Sequence, residues 1–276
     1  MLLGAVTLLS LLICLAVCGF SGAFAGLSWL WVAPLTFLVA FLMLVGIGFA
    51  ALMVLCRRVD QNVPQDGEDR LYRTVAELIV ESALPFLRIR VETRGMEKVP
   101  EDGRFLLVAN HVSESDPIML LHALPGRQLA FISKKENKDM FVIGPMMHKL
   151  QCQLINREND REALKTILRC IQILKEDKAS IGVFPEGGIH DDRKFHRFRP
   201  GVFKIAQKAK VPIVVCTLKN TRDVIPNILH LKPSRVQVNV LDVIAAEELT
   251  GVTTVEIAER CYRLMADDLG PELVAE

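Results

Sequence analysis

The stretch Phe105-Leu106-Leu107-Val108-Ala109-Asn110-His111-Val112-Ser113-Glu114-Ser115-Asp116-Pro117 decides the architecture of this chain. Its first five residues are apolar without alternation, the pattern of a strand buried on both faces. The strand runs straight into a polar turn. Asp116-Pro117 then precedes the apolar run 118–121 and reads as a helix start, with Asp at the cap and Pro at the first helical position. Strand, turn and helix in that order are the building unit of α/β layers. The same order recurs downstream. Short apolar, β-branched runs lie at 88–93, 105–109, 129–133, 153–155, 180–184, 213–218 and 235–240. Helical patterns lie at 117–124, 161–177, 201–208 and 254–269. Leu71, Val75, Leu78 and Ile79 recur at helical spacing and place an amphipathic helix ahead of the first strand. Strands alternating with helices imply an α/β fold with a largely parallel sheet flanked by helices. No internal repeat or low-complexity tract interrupts residues 70–276, so one domain is expected there, behind a polar, turn-rich linker at 59–69.

The N-terminal part has a different composition. Of 276 residues 51% are hydrophobic and the net charge is +1, but residues 1–56 contain no Asp, Glu, Lys, Arg or His. All charged side chains fall in 57–276, where they reach a density typical of a soluble surface. This excludes a polytopic transporter and a disordered chain. Two apolar stretches, 2–20 and 30–56, flank a break rich in small residues at 19–26, with Trp29 and Trp31 beside it. Each is long enough for a membrane span. Residues 1–58 are therefore expected to form a membrane-associated two-helix segment. Arg57 and Arg58 follow directly and place the remaining chain on the cytoplasmic face of the cell membrane by the positive-inside rule. A cleaved signal peptide ending near Ala23-Phe24-Ala25, or a single span with an irregular first segment, are the other readings of this region. The seven cysteines are scattered and odd in number, which fits small buried apolar residues in a reducing compartment. No metal site is expected. Nucleic-acid binding is disfavoured by the balanced charge and the lack of interleaved aromatic and basic residues.

Two constellations carry chemistry. In the first, His111 sits just past the end of a strand, where parallel sheets place ligands. Asp116 follows five residues later. A turn between strand and helix can fold the imidazole back onto the carboxylate, one oxygen capping the helix and the other holding the ring. Such a pair makes a general base: the imidazole titrates near neutrality and the carboxylate fixes its tautomer. A capped helix beside a hydrogen-bonded loop histidine is the plainer alternative. In the second constellation, the strand 180–184 opens into Pro185-Glu186-Gly187-Gly188-Ile189-His190. Paired glycines let backbone N–H groups approach an anion or an acyl carbonyl, and Glu186 can accept from a polyol hydroxyl. A tight turn with a solvated Glu186 is the alternative. Arg193, Lys194, His196, Arg197, Arg199 and Lys204 form a basic stretch suited to a phosphate, to an anionic membrane or simply to solvent.

Asn110-His111-x4-Asp116 together with Phe184-Pro185-Glu186-Gly187 resembles the glycerolipid acyltransferases, and within them the 1-acylglycerol-3-phosphate acyltransferases. Lys134-Lys135-Glu136 through Ile155-Asn156-Arg157 resembles their second block and Val211-Pro212-Ile213-Val214 their fourth. The resemblance implies transfer of a fatty acyl group from an acyl-CoA or acyl-carrier-protein thioester to the hydroxyl of a lysophospholipid in the membrane, without a cofactor. It implies His111 as base and Asp116 as its partner. It implies Asn110, Lys134, Arg157, Glu186, Gly187 and Gly188 as substrate-binding residues, with Arg157 the phosphate ligand. The third block departs from the pattern, since Gly188-Ile189-His190 stands where relatives continue Thr-Arg-Ser. The fourth has Val215 where a second proline is common. These departures bear on the acceptor more than on acyl transfer. Rival readings are another acceptor, such as glycerol-3-phosphate or a different lysophospholipid, and a non-catalytic membrane-anchored lipid-binding protein.

Overall fold

The computed structural model describes residues 2–156 and 159–275, which divide into two units, residues 1–62 and 63–276. The first unit holds α1 (Leu2–Phe20) and α2 (Trp29–Arg57). Cys14, Cys18 and Ala23 are buried between them, and the Cys14 thiol donates to the Ala33 carbonyl at 3.2 Å. Most other side chains of the two helices are exposed and apolar, with mean hydropathies of 2.5 and 2.8. Both are long and apolar enough to cross a membrane.

The second unit runs α3 (Arg70–Phe86), β1 (Ile89–Arg94), β2 (Leu106–Ala109), α4 (Asp116–Ala123), β3 (Leu129–Lys134), α5 (Ile143–Lys149), β4 (Gln153–Ile155) and α6 (Asp160–Lys175). It continues with β5 (Ser180–Val183), α7 (Lys204–Ala209), β6 (Ile213–Lys219), α8 (Val224–Leu229), β7 (Ser234–Ile244) and α9 (Thr254–Leu269). The seven strands form one sheet in the order β1-β7-β6-β2-β5-β3-β4. Every pairing is parallel except β6 with β7, which is antiparallel with a bulge at Val215/Cys216.

The central strands β2, β5 and β6 are buried on both faces, as their unbroken apolar runs require. Side chains alternate along a strand, so β2 feeds two cores at once. Leu106 and Val108 join Ile173 of α6, Ile205 of α7 and Met265 of α9. Leu107 and Ala109 join Leu84 of α3, Met119 of α4 and Val224 of α8. Four consecutive residues at 0–1% exposure fix β2 at the centre of the molecule. Burial of that kind contributes about 1.5–3 kcal/mol for each large side chain. The termini of the helices are capped by the residues that sequence rules favour: Asp69 for α3, Asn159 for α6, and a Thr253/Glu256 capping box for α9. The polar segment before α3 is held to this unit. Lys178 pairs with Asp66 at 2.7 Å, Gln151 donates to the Gln65 carbonyl at 3.1 Å, and Glu68 forms a buried ion pair with Arg73.

Candidate active site

The first four residues of the site come from the turn after β2. His111 Nδ1 lies 2.9 Å from Asp116 Oδ2. That same oxygen accepts the backbone N–H of Val112 at 2.8 Å and of Ser113 at 2.9 Å. Ser115, not Asp116, is the N-cap, and Asp116 is the first helical residue. The carboxylate therefore points back into the turn rather than along the helix, and Oδ1 has no partner among the described residues. Three donors on one oxygen fix the geometry: Nδ1 carries the hydrogen that bonds to the carboxylate, which leaves Nε2 as the basic nitrogen. Among the described residues Nε2 has no protein partner. The His111 ring is further held by the Phe184 ring, stacked at 4.1 Å between centroids, and Phe184 in turn stacks on Phe131 at 5.9 Å. Gly182 makes room for this column, since a Cβ there would lie 2.5 Å from the Phe131 ring.

The turn after β5 holds the other half. Glu186 is 3% exposed and binds two backbone amides, His111 N–H to Oε1 at 2.6 Å and His196 N–H to Oε2 at 2.9 Å. The carboxyl expected to meet a polyol hydroxyl thus also makes internal contacts, to two main-chain amides. A carboxylate buried at a turn is satisfied by the nearest unpaired amides, and here they tie the His111 main chain to the 195–199 segment. Burial pushes the Glu186 carboxyl up to about 8, with the amides of His196 and His111 pulling the other way. Asn110 is held in the same manner. It is 1% exposed, its amide donates to the Leu218 carbonyl at 3.0 Å, and its carbonyl accepts from Leu218 N–H at 2.7 Å. It extends the β2–β6 ladder with a side chain.

Gly187 has φ +88°, and its N–H closes the turn onto the Phe184 carbonyl at 3.1 Å. Its bare Cα is covered by Arg199, whose Nε lies 2.7 Å from where a Cβ would be. Arg199 N–H donates to the Pro185 carbonyl at 2.8 Å, so the guanidinium rests on the turn that holds Glu186. Arg199 is exposed and has no carboxylate partner among the described residues. Two other members of the basic stretch are engaged elsewhere. Arg197 pairs with Glu259 at 2.9 Å and lies over the Tyr262 ring, and His196 Nε2 meets Asp192 Oδ1 at 2.8 Å. Gly188 follows in the same half-buried turn. Lys134 ends β3 on the same sheet edge, exposed and 3.9 Å from Glu136. Arg157 lies outside the described residues. Phe184 opens the Phe184-Pro185-Glu186-Gly187 block without an expected role; its place under the His111 ring gives it one. The cysteines are unsuited to nucleophilic work, since burial raises the thiols of Cys152 to about 11 and Cys170 to about 12.

Residues 90–219 match the Acyltransferase family model. A 1-acyl-sn-glycerol-3-phosphate acyltransferase of Chlamydomonas reinhardtii is 31% identical over 212 residues, covering 74% of this chain and 61% of the relative, so the chain spans less than two thirds of that protein. One from Saccharomyces cerevisiae is 27% identical over 83% of this chain and 74% of its own length. The crystal structure of the 1-acyl-sn-glycerophosphate acyltransferase from Thermotoga maritima superposes with a TM-score of 0.60 at 21% identity, covering 79% of this chain and 86% of that one, which shows a shared fold. The domain that carries His111, Asp116 and Glu186 belongs to the Acyltransferase family.

Proposed function

We propose that this chain is a membrane-bound O-acyltransferase that moves a fatty acyl group from an acyl-CoA or acyl-carrier-protein thioester to the free hydroxyl of 1-acylglycerol-3-phosphate, giving phosphatidate. The observation that carries the reading is the three-donor clamp on Asp116 Oδ2, which leaves His111 Nε2 as the basic nitrogen at the end of β2. Nε2 takes the proton of the acceptor hydroxyl as its oxygen attacks the thioester carbonyl carbon. The C–S bond breaks as the tetrahedral intermediate collapses. The thiolate recovers the proton from Nε2, giving ester and thiol. Asp116 stabilises the imidazolium between these steps. The scheme needs no cofactor. The apolar helices α1 and α2 suit an enzyme whose acceptor is a lipid, with the catalytic unit on the cytoplasmic face as Arg57 and Arg58 direct.

A phosphorylated acceptor needs a cation, because an unpaired phosphate in a cleft is costly. Ile189 stands where relatives carry an arginine, and Arg199 is the guanidinium that rests on the same turn. It is assigned to the acceptor phosphate, beside Arg157. The departure at Ile189 also supports a second reading, acyl transfer to a lysolipid with another headgroup. Purified full-length protein, a labelled acyl thioester and a panel of lysolipids decide between them. Lysophosphatidate should be the preferred acceptor, and Arg199→Lys should already raise its KM, since Lys lacks the planar fork that binds two phosphate oxygens. Preference for an uncharged or zwitterionic headgroup, with Arg199→Lys silent, would support the second reading.

A further inference from the structure

The edge of the sheet that carries His111 is also the edge with an unusual surface. β2, β3, β5 and β6 are parallel, so their C-terminal ends lie together. β7 runs against β6, Lys219 facing Gln237, and β1 follows β7. The segments leading into β1 and β7 therefore reach the same edge. They meet there: Arg88 donates from Nη1 to the Leu231 carbonyl at 3.1 Å, and Ser234 N–H to the Arg88 carbonyl at 3.1 Å. Phe86, Leu229 and Leu231 stand out from this corner at 65%, 77% and 81% exposure. Leu231 does so from a φ of +53°, a region bulky residues rarely enter. The surrounding charges are one-sided. Arg88, Arg222, Lys232 and Arg235 are exposed and form no ion pair among the described residues, while Asp223 is the one carboxylate in residues 220–235.

We infer that this corner docks on an anionic lipid surface, with Phe86, Leu229 and Leu231 at the boundary of headgroups and acyl chains and the four cations among the headgroups. Apolar tips ringed by unpaired Lys and Arg are what such a surface binds, each cation strengthening the hold by about fivefold. A second copy of the chain is a poorer occupant, because a two-fold interface would set one basic patch against its twin. The docking does not depend on the proposed chemistry. Combined with that reading, on which this consequence rests, it turns the His111 edge toward the layer that holds a lipid acceptor.

The test uses the full-length chain in vesicles of phosphatidylcholine and phosphatidylglycerol. Trp29 and Trp31, the only tryptophans, are replaced by Phe, and a single tryptophan is placed by Leu231→Trp or, in a second protein, Leu229→Trp. Val255→Trp is the control, exposed at the start of α9 beyond the opposite end of β7. Brominated lipids should quench the emission of the first two and spare the third. Arg88→Gln with Lys232→Gln should remove most of that quenching, and so should neutral vesicles. Emission at 231 and 229 as water-exposed and unquenched as at 255 would overturn the proposal. So would a blue-shifted emission that brominated lipid does not quench, which would mean that protein covers the corner. None of these readouts uses enzymatic activity, so a failed acyltransferase assay and a failed docking are separate results.

Discussion

Asp116→Asn separates orientation from charge at this site. In many buried His–carboxylate pairs an Asn can flip and hold the wrong tautomer. Here the oxygen that faces His111 also accepts two backbone N–H groups, at 2.8 and 2.9 Å. An amide nitrogen in that place would oppose both donors and forfeit two bonds of about 1 kcal/mol each, so the oxygen stays and the tautomer survives. What disappears is the charge. A hydrogen bond to an ionised group is worth about 1.5–3 kcal/mol against about 1 for a neutral one. The imidazolium therefore loses about 0.5–2 kcal/mol of support, a fall in turnover of roughly 2- to 30-fold. The amide NH2 takes the place of Oδ1, which has no partner, and leaves its two N–H donors buried and unsatisfied, costing at least about 1–3 kcal/mol of stability. Initial rates with lysophosphatidate varied at saturating thioester measure the first effect, and urea unfolding the second. The acceptor KM should stay within a few-fold. A loss as large as that from deleting the histidine itself would refute the reasoning, because it would show the geometry was not preserved; no loss at all would remove Asp116 from the mechanism.

Glu186→Gln should change the pH dependence of stability. Burial holds the carboxyl at about 8 against an ordinary 4.5, so the folded state keeps a proton that the unfolded chain has lost between those values, and the stability from this group falls as pH rises through that window. The wild type should lose stability relative to the variant as pH rises across the same window; a flat difference would contradict the raised value. Gly182→Ala should disturb the aromatic column, since the new methyl lies 2.5 Å from the Phe131 ring. Overpacking of that kind costs about 1–3 kcal/mol, and turnover should fall with it as Phe184 shifts from His111. An unchanged Tm would show that the column yields without strain.

The seven strands were legible because each is a short apolar run between polar turns, and the ends found differ from those expected by a few residues. The reversal of β7 was not. Apolar runs report burial on two faces and carry no direction, and the direction follows from the connection through α8, which returns the chain to the edge it left. In the site, the His111–Asp116 approach was readable because both residues sit within one turn. The roles of Glu186 and Asn110 were not, because their partners are backbone atoms 75 and 108 residues away in sequence. Residue type shows that a carboxylate is present at a turn. Only the packed sheet shows which main-chain amides its oxygens accept from.

Removal of the acceptor proton by His111 Nε2 is tested by His111→Ala. The full-length variant, shown to be folded by circular dichroism and urea unfolding, is assayed with labelled acyl thioester and lysophosphatidate. Turnover should be lower by about 10²–10⁴-fold, the usual worth of a general base, with little change in either KM. Turnover within a few-fold of wild type would contradict that role of His111.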